Sequence, residues 1–195
     1  MTGVDLPISR LRNLFANYLW QIPGIRHEYY AVAYRNENEQ GDLIAELFTG
    51  KETGKDYKEY MFSDKTDILC FFDVEDEVTN FDERAQVGVN VIFAVNLQRI
   101  YPALQYRANE EAYSDVRAVM SRVSQESINP VSISKGLNAY GDLSTEKLKR
   151  FNMHPWHTFA FNTEMTVNYD CDQKVKLTTG ALTHFEYPAP IVFTS

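Results

Sequence analysis

The sequence predicts an α+β domain in which two main helices cover one face of a mostly antiparallel sheet. Two long stretches with strand periodicity support this prediction. From 86 to 97 the odd positions are Val, Phe or Leu, and from 158 to 168 they are Phe, Thr, Met or Val, while the even positions are mostly small or polar. A period of two indicates strands with one buried face. Because the two patterns match, we expect these strands to pair in one sheet.

The first predicted element is a helix over residues 5–21. Its apolar side chains recur with helical spacing and share one face: Leu11, Leu14, Phe15, Tyr18 and Leu19. Asp5 or Ser9 can cap the first turn, because both side chains accept hydrogen bonds from free backbone amides. Pro23 and Gly24 end the helix. The element therefore has one apolar face that can lie against a sheet.

Short strands are predicted next, over residues 28–34, 43–48 and 57–62. The stretch between the last two, 49–56, combines glycines with charged residues and has no large apolar side chain. Such a composition is typical of a loop or a hairpin tip. We therefore expect residues 49–60 to protrude from the domain.

Ile68–Phe72 is apolar throughout and rich in aromatic residues, which favours a strand that is buried on both faces. An acidic segment, 73–83, connects it to the first long strand. The helical period then returns over residues 109–123, where Asn109 is a good cap residue. The apolar side chains of this second helix line one side: Ala112, Val116, Val119 and Val123.

An insertion is predicted over residues 124–155, between the second helix and the second long strand. Its first part, 127–140, contains Pro130, Gly136 and several small polar residues, so we expect irregular structure there. A short third helix is expected over 144–151.

The C-terminal region contains a further candidate strand, Lys174–Thr179. Residues 180–195 include two prolines and apolar side chains near the end, so we expect an extended arm that can dock on a neighbouring subunit. No internal repeat, low-complexity tract or linker interrupts the chain. The sequence therefore predicts a single α+β domain over residues 1–195.

The chain carries 19 Lys and Arg against 27 Asp and Glu, a formal net charge of −8. This balance argues against binding nucleic acid through a basic face, although DNA can pass through an acidic channel without sticking to it. We expect no signal peptide and no membrane-spanning segment. Cys70 and Cys171 stand far apart and outside any CxxC pair, which favours a reduced cytoplasmic setting and leaves a disulfide as the alternative.

Two histidines, His154 and His157, precede the second long strand. Two imidazoles and a carboxylate can hold zinc, which gives the hypothesis of a metal-dependent hydrolase. However, Pro155 prevents a helix that would carry both histidines on one face. The alternative is an ordinary strand start in which Trp156 packs and the histidines lie at the surface.

The acidic segment 73–83 does not fit a calcium loop, because its carboxylates are consecutive and it lacks a glycine for the sharp turn. The favoured interpretation is a solvated connector, and the alternatives are a Ca²⁺ or Mg²⁺ site and an acidic rim of a ring. The candidate rim residues are Asp73, Glu75, Asp76 and Glu77.

Motifs of nucleophilic or nucleotide-dependent catalysis are missing from the sequence. It contains no Gly-x-Ser-x-Gly, no phosphate-binding loop and no dinucleotide-binding glycine pattern. Cys70 lies in an apolar run, which would raise the pKa of a thiol rather than activate it. We therefore expect neither enzymatic activity nor a cofactor.

A polar and aromatic cluster follows the first long strand and includes Arg99, Tyr101 and Tyr106. One interpretation is a contact patch for another molecule. The other is a structural turn that Pro102 ends. The sequence supports both equally.

The order of these elements resembles that of the tail-terminator and related head-to-tail connector proteins of tailed bacteriophages. The likeness lies in an amphipathic first helix, a meander of short strands, a long alternating strand, a helix after the break at Ile100–Pro102, and a final long strand at Phe159–Tyr169. It covers roughly residues 5–169 and rests on layout rather than on a motif. The departures from the smaller members are the insertions at 49–60 and 124–155 and the tail after residue 172.

The resemblance implies a structural virion protein, assembled in the host cytoplasm, that forms a homo-oligomeric ring of six or twelve copies around the genome channel. It implies portal, neck or tail-tube proteins as further partners, DNA that passes without specific binding, no membrane, and no catalytic residues. The expected subunit or partner contacts are Lys51, Lys55, Arg99, Tyr101, Tyr106, Pro188, Ile191 and Phe193.

Two other functional classes stay open at this point. One is the metal-dependent hydrolase that would use His154 and His157. The other is a non-viral binding module that would use its open sheet face for a peptide or a small ligand.

Overall fold

The computed structural model describes residues 5–48, 57–59, 66–74, 84–104, 106–122, 128–145 and 154–168. Within these ranges the helices are α1 Asp5–Tyr18, α2 Leu97–Ile100 and α3 Ala108–Met120, with a 3₁₀ turn at Gly136–Tyr140. The strands are β1 His27–Val32, β2 Tyr34–Glu37, β3 Leu43–Phe48, β4 Tyr57–Glu59, β5 Ile68–Val74, β6 Arg84–Asn96, β7 Ile128–Lys135 and β8 Trp156–Asn168. Among the described helices, none has the length and apolar character needed to cross a membrane.

The main sheet has five strands in the order β1-β5-β6-β8-β7. Only the β1–β5 pair is parallel, and the other pairs are antiparallel. The two long strands lie side by side, with Arg84 opposite Asn168 at one end and Asn96 opposite Trp156 at the other. The predicted α+β class and the predicted pairing of the long strands are therefore confirmed.

The face of the sheet that α1 and α3 cover carries the larger part of the core. The alternating residues of the long strands are buried here: Val87, Val89, Val91, Phe93, Val95, Phe159, Phe161 and Met165. The Phe15 ring of α1 meets Phe93 edge-to-face at 5.2 Å between centroids, and Phe93 stacks on Phe159 at 5.2 Å. Truncating such a ring to alanine costs about 3–5 kcal/mol, so this layer fixes the register of the sheet.

The opposite face of the sheet is covered over only part of its area. A second sheet of three strands, β2-β3-β4, lies here together with the 3₁₀ turn. Its Ala45 and Leu47 join a buried cluster with Phe71, Ile92 and Tyr140. Because β5 is buried on both sides, the prediction for Ile68–Phe72 is confirmed.

Both main helices differ from the prediction at their ends. α1 ends at Tyr18, shortly before Trp20, whose backbone has a positive φ of 48°. α3 begins at Ala108 after Arg107, which is left-handed and provides no side-chain cap, so Asn109 lies inside the first turn. The prediction of Asn109 as the cap is therefore wrong.

The prediction of irregular structure over 127–140 is also wrong. Ile128–Lys135 forms the edge strand β7 beside β8, with a register shift between Pro130 and Ser132. An edge position tolerates a proline because that strand needs hydrogen bonds on one side only. Asn162 of β8 reinforces the pair by donating to the hydroxyls of Ser132 and Ser134, at 2.8 and 3.0 Å.

Several predictions lie outside the described residues. They concern loop residues 49–56, most of the third helix at 144–151, the strand at 174–179, Cys171, and the arm at 180–195. Ser144 and Thr145 are described and are not helical.

Candidate functional site

Three aromatic side chains form an exposed cluster on the three-stranded sheet, called here the aromatic patch. Tyr34 is 60% exposed, Phe48 52% and Tyr57 54%. The ring of Tyr57 lies 5.5 Å from Phe48 and 6.1 Å from Tyr34, measured between centroids. Exposed apolar surface that is clustered rather than scattered is typical of a contact surface, and tyrosine suits an interface because it is apolar with one polar tip.

Strand alternation explains why these rings face outward together. In β3 the buried residues are Ala45 and Leu47, so the next position, Phe48, turns away from the core. Phe48 stands directly opposite Tyr57 in β4, and Tyr34 in β2 stands opposite Glu46. Neighbours on one face of a sheet are close enough for their rings to touch.

A partly buried ion pair anchors the sheet that carries the aromatic patch. Arg35 of β2 donates from Nε and Nη2 to the two carboxylate oxygens of Asp73 in β5, at 2.7 and 2.8 Å. The backbone amide of Ala33 donates to the carbonyl of Phe72 at 2.8 Å. These contacts hold β2 against the main sheet, so the aromatic patch is positioned before any partner arrives.

The same contacts correct one prediction about the acidic segment. Asp73 is only 1% exposed and binds Arg35 in a fork-to-fork arrangement, so it does not lie on an exposed rim. The other candidate rim residues, Glu75, Asp76 and Glu77, lie outside the described residues.

Tyr101, a predicted contact residue, is instead part of a hydrogen-bonded group inside the domain. Its hydroxyl donates to Asp115 Oδ2 at 2.6 Å and accepts from Trp20 Nε1 at 2.8 Å. Burial, together with the hydrogen bond to Asp115, raises the pKa of Tyr101 above its usual value. This hydrogen-bonded group connects the segment after α1 to α3. It therefore supports the interpretation of Tyr101 as a structural residue and not as part of a contact patch.

Arg99 and Tyr106, the other two predicted contact residues of this cluster, differ in their surroundings. Arg99 donates to the carbonyl of Gly24 at 3.0 Å and its Nε lies 3.7 Å from the carboxylate of Asp67, so its side chain braces a loop. Tyr106 is 82% exposed, and Leu104 nearby in sequence is also exposed. Of the predicted polar and aromatic cluster, Tyr106 is the most exposed member, and Arg99 is about half exposed although its side chain already has two partners.

A second candidate region is a polar recess of about 370 Å³ between α3 and β7. Its lining residues are Glu110, Tyr113, Ser114, Arg117, Ile133 and Lys135. Lys135 Nζ lies 3.9 Å from a carboxylate oxygen of Glu110 and 4.9 Å from the centroid of the Tyr113 ring. Lys135 and Glu110 of the recess thus already interact with each other.

His157 lies behind this recess and contacts one of its walls. The hydroxyl of Tyr113 is 2.6 Å from Nε2 of His157. Burial, and then the charge of Lys135, lowers the pKa of His157, while burial raises the pKa of Tyr113. The phenol therefore stays protonated, the imidazole is neutral at pH 7, and the two groups share one hydrogen bond.

The two histidines of the metal hypothesis are placed differently from each other. His154 is exposed and precedes a cis peptide bond to Pro155, whereas His157 is half-buried against Tyr113. In the part of the chain that the structure describes, no three His, Cys, Asp or Glu side chains are grouped so that they could hold a metal ion.

Cys70 is fully buried in the core between the sheet and the helices. Burial raises the pKa of its thiol, as its apolar surroundings in the sequence predicted. The thiol is therefore protonated and inert at neutral pH.

The remaining predicted contact residues lie outside the described ranges: Lys51, Lys55, Pro188, Ile191 and Phe193. The sequence prediction missed all three members of the aromatic patch. The sequence did contain a signal for Phe48. Ala45 and Leu47 are small or apolar residues at alternate positions of one strand, which predicts that they face the core and that Phe48 faces solvent.

Comparisons of the chain with known protein families, curated proteins and solved structures find no match. The resemblance to phage connector proteins therefore stays a prediction. The aromatic patch and its anchoring are the geometry on which a functional proposal can rest.

Proposed function

We propose that this protein is a structural virion protein that self-associates into a ring of the connector or tail-terminator class. The ring would lie at the head–tail junction of a tailed phage or at the end of its tail tube, with a channel for the genome. Its further partners would be portal, neck or tail-tube proteins.

The aromatic patch is the observation that carries this proposal. Tyr34, Phe48 and Tyr57 are each more than half exposed, yet they lie in contact on a sheet that a partly buried ion pair holds in place. A rigid group of tyrosine and phenylalanine rings is what the energetically dominant part of a protein interface is made of. A subunit that repeats one such contact head to tail forms a closed ring when the rotation between neighbours closes.

Two further features agree with the proposal. The layout of the domain, with α1 and α3 on one face of two long paired strands, is the layout on which the resemblance was based. The net charge of −8 suits a channel from which DNA must slide without sticking.

The mass of the protein in solution tests the proposal. Light scattering after size exclusion, over a concentration series, is expected to show a closed species of about 135 kDa, six times the 22.5 kDa chain, or twice that mass. A substitution of Phe48 and Tyr57 by serine is expected to abolish that species, whereas the same substitution at Tyr18, which is equally exposed on α1, should leave it unchanged. A monomer at every concentration would contradict the proposal.

The same patch also favours a second candidate function, a binding module for a different macromolecule. A binding module would remain monomeric, and its aromatic patch would be needed for capture of that partner only. The mass measurement thus separates the two functions before any partner is known.

A further inference from the structure

We propose that the aromatic patch of one copy binds the turn between α2 and α3 of a neighbouring copy. The binding part of this turn, called here the α2–α3 corner, consists of Leu104, Tyr106 and Arg107. The inference rests on the proposed self-association and names the two surfaces that meet in it. Because they are different parts of the chain, the contact is heterologous.

The α2–α3 corner exposes apolar side chains that lack partners within the domain. Tyr106 is the most exposed large apolar side chain among the described residues, and Leu104 is also exposed. Within the described ranges, the side chain of Tyr106 makes no hydrogen bond and no ring contact. Tyr18 on α1 differs, because the guanidinium of Arg122 lies over its ring at 4.7 Å from the centroid. The corner is therefore a second apolar surface that contact with another molecule can bury.

Hydrogen bonds on both sides of the α2–α3 corner hold it in place before a partner arrives. Before it, the Tyr101 hydroxyl donates to Asp115 of α3, and the Tyr101 carbonyl accepts from the amide of Leu104 at 3.0 Å. After it, the carbonyl of Arg107 accepts from the amide of Glu110 at 2.9 Å. A preorganised surface loses little conformational entropy on binding, so these contacts favour association.

The two surfaces belong to segments of opposite charge. Residues 97–108, which include the corner, contain two arginines and neither Asp nor Glu. Residues 34–48 and 57–59, which form the three-stranded sheet, contain two basic and five acidic residues. Opposite charge across an interface steers encounter and fixes the register of the two partners. This complementarity favours a second copy as the occupant of the patch.

Glu46 provides an acidic group beside the rings of the aromatic patch. Glu46 and Phe48 share the outward face of β3, because the residues on either side of Glu46 are buried. Tyr34 stands opposite Glu46 in the neighbouring strand β2. A guanidinium binds both carboxylates and aromatic faces, so we expect Arg107 of the neighbouring copy to lie between Glu46 and the rings.

The two surfaces lie on different sides of the domain, so one copy cannot close the contact on itself. The ion pair of Arg35 with Asp73 places the three-stranded sheet level with Asn90 of β6. The turn that bears the corner follows the end of β6 at Asn96, roughly 20 Å farther along that strand. It then leads into α3, which packs on the opposite face of the main sheet. A copy that gives its corner to one neighbour thus keeps its patch for another.

Complementation between two full-length variants tests the inference. The first variant, L104S/Y106S, keeps the patch and loses the apolar side chains of the corner. The second variant, Y34S/Y57S, keeps the corner and loses two rings of the patch. Each variant alone is expected to be monomeric, with a melting temperature close to that of the unaltered chain, because all four side chains are exposed.

An equal mixture of the two variants is expected to form a two-chain complex but no ring. The patch of the first variant can bind the corner of the second, and no further contact of this kind is possible. Y18S serves as the control, since it removes an exposed tyrosine outside both surfaces and is expected to assemble normally.

The outcomes separate this inference from the proposed function. If L104S/Y106S still forms rings, the inference is overturned while the ring proposal stands. If both variants are monomeric and their mixture gives no complex, binding of the patch to the corner is likewise overturned. If the unaltered chain itself is a monomer, both proposals are overturned together.

Charge reversal gives a second readout in sedimentation equilibrium. R107E is expected to weaken self-association roughly tenfold, because it brings a carboxylate to an acidic surface. R10E makes the same change at an exposed arginine of α1 and is expected to leave self-association within about twofold of the unaltered chain. The double variant E46K/R107E restores opposite signs and is expected to associate more tightly than R107E. Equal losses in R107E and R10E, or no gain in the double variant, would overturn the inference.

Discussion

The aromatic patch and the polar recess are two open surfaces formed by described residues, and they differ in how many of their groups already have interaction partners. In the recess, Lys135 interacts with Glu110, and Tyr113 with His157. In the patch, three rings contact one another and remain more than half exposed. Burying the patch removes apolar area from water, whereas filling the recess must first compete with existing polar contacts. The comparison favours the patch as the surface that meets a partner.

The largest expected effect comes from breaking the anchor of the patch. Arg35→Leu leaves the Asp73 carboxylate buried without its charged partner, which is expected to cost about 3 kcal/mol of unfolding free energy. For a chain of this length that corresponds to a fall of roughly 6–12 °C in melting temperature. Thermal and urea unfolding measure it.

The double variant R35L/D73L sharpens this prediction. It removes both charges, so it is expected to recover part of the stability that R35L loses. If R35L unfolds at the same temperature as the unaltered chain, the ion pair does not anchor the three-stranded sheet.

Substitutions in the patch itself are expected to affect association rather than stability. Tyr57→Ser removes the ring that contacts both other members of the patch, which weakens self-association by about 2 kcal/mol, or roughly thirtyfold. Unfolding free energy is expected to change by less than about 0.5 kcal/mol because Tyr57 is exposed. Sedimentation equilibrium measures the first quantity and urea unfolding the second. Equal losses in both quantities would make Tyr57 a structural residue.

The long strands were predictable from the sequence because their alternation extends over the whole element. β6 and β8 each have 13 residues, and a slip by one position would turn every buried side chain of such a strand outward. β7 was missed because Pro130 and the small polar residues around it carry a weak signal. It becomes a strand because β8 offers it an open edge, which is a tertiary effect that local sequence does not contain.

The candidate sites were harder to predict for a related reason. Tyr101 looked like a contact residue because its partners, Trp20 and Asp115, are distant in sequence and unpredictable from it. The aromatic patch draws one ring from each of three short strands. Their common face is defined only when the phase and pairing of all three strands are known.

A smaller effect is expected from pH at the wall of the recess. Burial lowers the pKa of His157 below its unfolded value of 6.5, so the unfolded chain binds more protons in the acidic range. Stability is therefore fully present above about pH 7 and falls as the pH drops through the unfolded value. His157→Gln can still form a hydrogen bond with Tyr113 but cannot become charged, so the unfolding free energy of this variant is expected to fall less between pH 7.5 and 5.5.

His27 provides the control for this pH dependence. Burial also lowers its pKa, although Asp67 acts in the opposite direction, so part of the slope is expected to persist in the His157 variant. The combined variant H27Q/H157Q should have the shallowest slope. An unchanged slope in H157Q would mean that the imidazole is freely protonated in the folded state.

The smallest expected effects test whether the charges of the recess act on each other. Lys135→Met is expected to change stability by less than about 0.5 kcal/mol, since Lys135 and Glu110 are both about half exposed. However, Lys135 lowers the pKa of His157 and Glu110 raises it. Lys135→Met should therefore raise the pKa of His157, and Glu110→Gln should lower it, in a proton NMR titration of the imidazole. Shifts of opposite sign in the pKa of His157 would establish that the charged groups of the recess interact with one another without a ligand. No shift in either variant would remove this difference between the recess and the aromatic patch.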